Sequence, residues 1–127
     1  MSDEDEKNKQ KKVLIATPCY GGMLSYLYHL SVVRLNDEIA RTRPDVKIST
    51  YLLGNESLVT RARNTCVAHF LADDSYTHLF FVDADIEFSP TTFLRVLDAA
   101  SSPSKGVTCA CYPQKGIWWD QIGRAHV

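Results

Sequence analysis

The chain has 127 residues, of which 45% are hydrophobic and 23% charged, and its formal net charge is -1. This is the profile of one modest, ordinary globular domain. It excludes a strongly basic nucleic-acid binder, and with no run of about 18 apolar residues it predicts no membrane-spanning helix.

Met1 to Lys12 carries acids and bases with no apolar residue after Met1, which predicts a solvated, disordered tail over 1–12. No apolar segment of signal-peptide type follows, so the domain is expected over 13–121. "VLIAT" (Val13 to Thr17) reads as a short buried strand. "PCYGG" (Pro18 to Gly22) breaks it and turns the chain. Met23 to Arg41 has helical spacing through Leu24, Leu27, Leu30, Leu35 and Ile39, and Pro44 ends it. "VKISTYLL" (Val46 to Leu53) alternates and is rich in β-branched residues, the pattern of a second strand. Gly54 to Ser57 forms a turn with Asn55 as a possible helix cap, and Leu58 to Leu71 follows as a second helix. "HLFFVD" (His78 to Asp83) is a third strand, apolar on both faces. Ser89 as cap and Pro90 at the first helical position open a third helix. "GVTCACY" (Gly106 to Tyr112) reads as a fourth strand. Continuous apolar strands alternating with helices predict an α/β fold: a Rossmann-like, open, mostly parallel sheet with helices on both faces.

Cys19, Cys66, Cys109 and Cys111 are scattered. Cys109 and Cys111 share a strand face and read as buried thiols; the second ligand pair that a zinc site needs is not visible. Reduced cysteines point to an intracellular, cytoplasmic protein. His29, His69 and His78 lack metal-ligand spacing. The last six residues, "IGRAHV" (122–127), look like a translated sequencing adapter and are set aside as a non-native tail, which makes 13–121 incomplete at its C-terminus.

The stretch "HLFFVDADIEF" runs an apolar strand into Asp83 and Asp85. In an open parallel sheet, ligands bind beyond the carboxyl ends of the strands. Two carboxylates with a small residue between them can share a hard divalent cation, and magnesium or manganese keeps positions open for substrate phosphate. The alternative is that Asp83 caps a turn and Asp85 faces water. On the second helix Leu58, Val59, Ala62, Cys66, Val67 and Phe70 cluster on one side at ~100° per residue, and Arg63 falls on that side too. A partly buried arginine needs a partner, and the nearest acids by topology are Asp83 and Asp85; otherwise it snorkels to solvent. The loop after the first strand faces the same end, where Tyr20 could stack on a base and Thr17 could bond to one. Lys115 could meet a phosphate. Trp118 or Trp119 could stack on a sugar or pack under further structure.

Taken in order, "ATPCYGG", "NESLVTRARN" and "HLFFVDADIEF" resemble a GT-A fold glycosyltransferase, closest to family 2-like enzymes and their phage and large-virus relatives. The resemblance covers about Val13 to Trp119. It implies the nucleotide-sugar-binding half of an enzyme that moves a sugar from a UDP- or GDP-linked donor to a hydroxyl of a glycan, protein or lipid. It implies Mn2+ or Mg2+ on Asp85, with Asp83 on the metal or the donor ribose. Thr17, Pro18, Tyr20 and Asn55 would border the nucleotide, and Arg63 the diphosphate or the acid loop. The general base of inverting members comes from the C-terminal half; after Trp119 only Asp120 is present, at the expected truncation, so the catalytic base is unknown and is expected to be missing with the acceptor half. Two other readings stay open: a nucleotidyltransferase, although "TPCYGGMLSY" lacks the basic residues its phosphate loop needs, and a non-catalytic nucleotide-binding domain on the same sheet.

Overall fold

Val13, Leu14, Ile15 and Ala16 are buried on both faces of the central strand, β1 (Lys11–Cys19). A computed structural model describes residues 10–54, 58–101 and 106–108. After β1 come a 3-10 turn (Tyr20–Gly22), helix α1 (Tyr26–Thr42), strand β2 (Val46–Gly54), helix α2 (Val59–Leu71), strand β3 (His78–Phe81) and helix α3 (Pro90–Ala100). The described strands form one parallel sheet in the order β2-β1-β3, with Val13 opposite Ile48 on one side and His78 on the other.

The chain steps from β1 out to β2, then crosses back over β1 to reach β3. Right-handed crossovers in opposite directions put their helices on opposite faces. α1 and α3 accordingly pack together on one face, where Val13, Ile15 and Val46 meet Leu35, Ile39, Phe93 and Leu97. Phe93 stacks on Phe80 at 4.3 Å between ring centroids. Leu14 and Ala16, out of phase by one residue, face α2, whose Ala62 and Cys66 are buried. Each large apolar side chain fully buried here contributes about 1.5–3 kcal/mol.

Several boundaries and faces differ from the sequence reading. Lys11 and Lys12, assigned to the tail, begin β1, because the Lys11 N–H donates to Asp45 O at 2.8 Å and the Thr77 N–H to Lys12 O at 2.8 Å. Helix α1 starts at Tyr26, capped by the Ser25 hydroxyl, which accepts from the Leu27 N–H at 3.2 Å. Its buried stripe is Tyr28, Ser31, Leu35 and Ile39, which follows the 3.6-residue period, whereas Leu24, Leu27 and Leu30 step by threes and drift off that face; Leu24 and Leu30 are exposed. Leu58, just before α2, and Val59 are exposed rather than part of the sheet-facing stripe. β3 ends at Phe81, although the Val82 N–H still donates to Ala16 O at 3.2 Å. Of the expected fourth strand, Gly106 to Thr108 are described and carry no strand, and the remainder lies outside the described residues, as do Asn55, Cys109, Cys111, Lys115, Trp118, Trp119 and Asp120.

Ser89 caps α3 as expected, its hydroxyl accepting from the Thr92 N–H at 3.1 Å, with Pro90 in the first turn. Where the strands begin, Arg43 reaches Asp45 at 3.0 Å and Asp98 at 2.9 Å, and Lys11 approaches the same two carboxylates at 3.5 and 3.7 Å. None of the helices in the described residues is long and apolar enough to cross a membrane.

Candidate functional site

The order β2-β1-β3 reverses direction at β1, so the crevice beyond the ends of β1 and β3 lies at the topological switch point. An open cleft of about 600 Å³ occupies that position. Pro18, Tyr20, Met23, Leu24 and Ser25 line it from the loop after β1. Val59 and Arg63 line it from α2, and Asp83, Ala84 and Asp85 from the loop after β3. Five of the residues singled out from sequence, Pro18, Tyr20, Arg63, Asp83 and Asp85, are thus brought together.

The β1 loop turns sharply because Gly21 and Gly22 both hold positive φ, +70° and +72°, a region that other residues rarely enter. The turn leaves Tyr20 45% exposed at the rim, with its ring available to a planar ligand. Thr17 does not reach the cleft. Alternation along β1 puts it on the α1 face with Val13 and Ile15, where it is fully buried and its hydroxyl meets the Tyr28 hydroxyl at 2.6 Å. The expectation that the Thr17 side chain borders a ligand is therefore corrected.

Arg63 lies one turn into α2 and directs its guanidinium to Asp83 Oδ1 at 3.2 Å. It also lies over the Phe81 ring, 5.2 Å from the centroid. The side chains of Arg63 and Asp83 remain 40% and 46% exposed, so solvent screens the pair and its contribution to stability is small. The arrangement instead keeps a planar, multidentate cation beside the carboxylates, the geometry suited to phosphate. The acid loop itself is tightly turned: the Ile86 N–H donates to Asp83 O at 3.1 Å and the Ser25 N–H to Ala84 O at 2.8 Å.

Asp83 and Asp85 supply hard oxygen donors. Among the described residues no group of three or more His, Cys, Asp or Glu could hold a metal ion. A two-carboxylate set is too small for a self-contained metal cage but fits magnesium or manganese, which keep water and substrate phosphate in their remaining positions. The two described cysteines are poor candidates for ligands, because burial pushes the Cys19 and Cys66 thiols up, and Arg63 only partly offsets this at Cys66.

Met23, Leu24, Ser25, Val59 and Ala84, which line the cleft, and Tyr28 and Ser31, buried on α1, are not among the site residues singled out from sequence. The signal was present for the last two: polar side chains on the stripe of α1 that also carries Leu35 and Ile39. No protein-family model, curated protein or solved structure matches the chain.

Proposed function

We propose that this chain is the donor-binding part of a metal-dependent glycosyltransferase, which transfers a sugar from a UDP- or GDP-linked donor to an acceptor hydroxyl. The observation that carries the reading is the convergence of Asp83, Asp85 and Arg63 on one cleft at the switch point of a parallel sheet. The sequence resemblance through "ATPCYGG", "ARN" and "DAD" adds to it.

In this reading Asp85 and Asp83 would hold Mn2+ or Mg2+, leaving its other positions to water and donor phosphate. The metal, when bound, neutralises charge on the departing nucleoside diphosphate. Arg63 orients the Asp83 carboxylate through the 3.2 Å contact and offers its other N–H donors to phosphate oxygens. Tyr20 and Pro18 form the wall against which the nucleoside lies, with Asn55 assigned to the same role on sequence alone. Met23 and Leu24 add apolar surface to that wall. Deprotonation of the acceptor hydroxyl falls to a carboxylate of the acceptor-binding half, and no residue of this chain is assigned to it.

Calorimetric titration of UDP, GDP and their sugar conjugates, with and without Mn2+, tests this directly. The expected result is metal-dependent binding of one nucleotide series that Asp85→Ala abolishes. Binding that ignores both the metal and Asp85→Ala points to a non-catalytic nucleotide-binding domain. No binding by a folded chain contradicts the donor-site reading.

A further inference from the structure

The acid loop does not hold its shape alone. Ser31 is fully buried on a stripe of α1 that otherwise reads Tyr28, Leu35 and Ile39. Alanine would favour the helix more and leave no polar group to satisfy. The Ser31 hydroxyl donates to Leu27 O of its own helix at 2.8 Å and accepts the N–H of Phe88, at the far end of the acid loop, at 3.0 Å. At the near end, the Ser25 N–H donates to Ala84 O at 2.8 Å. The two bonds bracket the segment that carries Asp85 and begins one residue after Asp83. Between them on α1, the Tyr28 hydroxyl meets Thr17 near the end of β1.

Ser25 caps α1, and Tyr28 and Ser31 are neighbours three residues apart on its buried side. Thr17 and Ser31 are the buried polar residues among those described, and this one stripe engages both. Buried polar groups are retained at a cost unless their partners are satisfied. Here the satisfied partners are the ends of β1 and of the acid loop, the two walls of the cleft. We propose that α1 clamps the acid loop, and that Ser31 is the positioning residue that sets the spacing of the Asp83 and Asp85 carboxylates for a divalent cation. The clamp's purpose rests on the donor-site reading above; its existence does not.

A carboxylate pair binds a cation well only when held near its productive geometry. Ser31→Ala removes the acceptor of the Phe88 N–H, lets the loop relax, and is expected to weaken Mn2+ binding about 10-fold, the lower bound for loss of a supporting contact around a metal site.

Hydrogen exchange on the wild-type chain is the first test and requires no variant. The Phe88 amide is expected to exchange well below the rate of an exposed loop amide; exchange at the exposed rate overturns the proposal. Ser31→Ala is then expected to accelerate exchange at Ile86 and Phe88 while sparing Leu14 and Ile15 in β1. Mn2+ affinity, read by electron paramagnetic resonance with UDP or GDP present, falls with it, and Ser31→Thr, which keeps the oxygen, recovers most of the loss. Ile39→Val, destabilised elsewhere on the same helix, retains wild-type affinity; a matching loss there means that Ser31 acts only through general stability and overturns the proposal. Wild-type loop exchange and affinity in Ser31→Ala overturn it as well. A loosened loop in a chain whose wild type binds no Mn2+ supports the clamp and contradicts the donor-site reading instead.

Discussion

At the end of the sheet where the strands begin, Arg43 sits between Asp45 and Asp98, with Lys11 against the same two acids. Where the strands stop, Arg63 meets Asp83 at 3.2 Å and both line an open cleft with Asp85. The side chains are of the same kinds, but they are arranged differently. At the first end two cations and two carboxylates close on one another, and His78 adds contacts with Ser101 at 3.1 Å and Thr77 at 2.8 Å. At the second end the charges are half-exposed, as Asp98 also is at the first, but they border a space large enough for a ligand. A closed network fixes structure and has little capacity for a guest; carboxylates and an arginine around a cleft contribute little to stability and are suited to recognition.

The difference predicts how substitutions separate stability from binding. The largest loss comes from the core that both ends share. Leu97→Ala, at a fully buried site between α3 and β1, is expected to cost about 2–5 kcal/mol in urea unfolding. Next comes Arg43→Ala, which leaves Asp45 and Asp98 without their main partner. Its expected cost is about 1 kcal/mol, shrinking with added salt, with nucleotide binding unchanged.

A pH titration of stability sharpens the contrast further. Burial, and to a lesser degree Lys11, lowers the His78 pKa, so the unfolded chain takes up this proton first as pH falls. The stability His78 confers is complete above its unfolded pKa of about 6.5 and declines below it. The hydrogen bond from Arg43 holds Asp45 below the usual carboxylate range, so its contribution is complete above about pH 3.9 and is lost below that value. Asp73, which Ser75 and Lys12 hold down at about 2, shares the lower step, so His78→Gln should remove the upper step and Arg43→Ala should reduce, not abolish, the lower one; identical profiles in all three chains would contradict the assignment. The smallest stability effect belongs to Arg63→Ala, within about 0.5 kcal/mol because the pair is screened. The same variant should nevertheless lose metal-dependent nucleotide binding, the reverse of Arg43→Ala.

Much of this was legible from residue order. Apolar runs at Val13, Val46 and His78, alternating with helical patterns, gave the parallel sheet, and Ser89-Pro90 marked the start of α3 within a residue. The Arg63–Asp83 contact also followed, from a helical wheel combined with topology. The loop motif suggests a ligand-facing Thr17, whereas period-two alternation from Val13 and Ile15 sends its side chain to α1. On α1 leucine alone is a poor marker of burial. Tyr28 and Ser31 are buried there because each hydroxyl finds a partner on another element, a contact that local sequence does not encode. Leu24 and Met23 lie outside that core and line the cleft instead.

The central claim is that the two ends of this sheet divide structure from recognition. Paramagnetic broadening of backbone amide signals by substoichiometric Mn2+, with UDP or GDP present, tests it residue by residue. The account predicts broadening at Tyr20, Ser25, Arg63, Ala84 and Ile86, with Lys12, Val46 and Ser101 at the opposite end unaffected. Broadening centred on Asp45, Asp98 and their neighbours, or spread evenly over both ends, would contradict it.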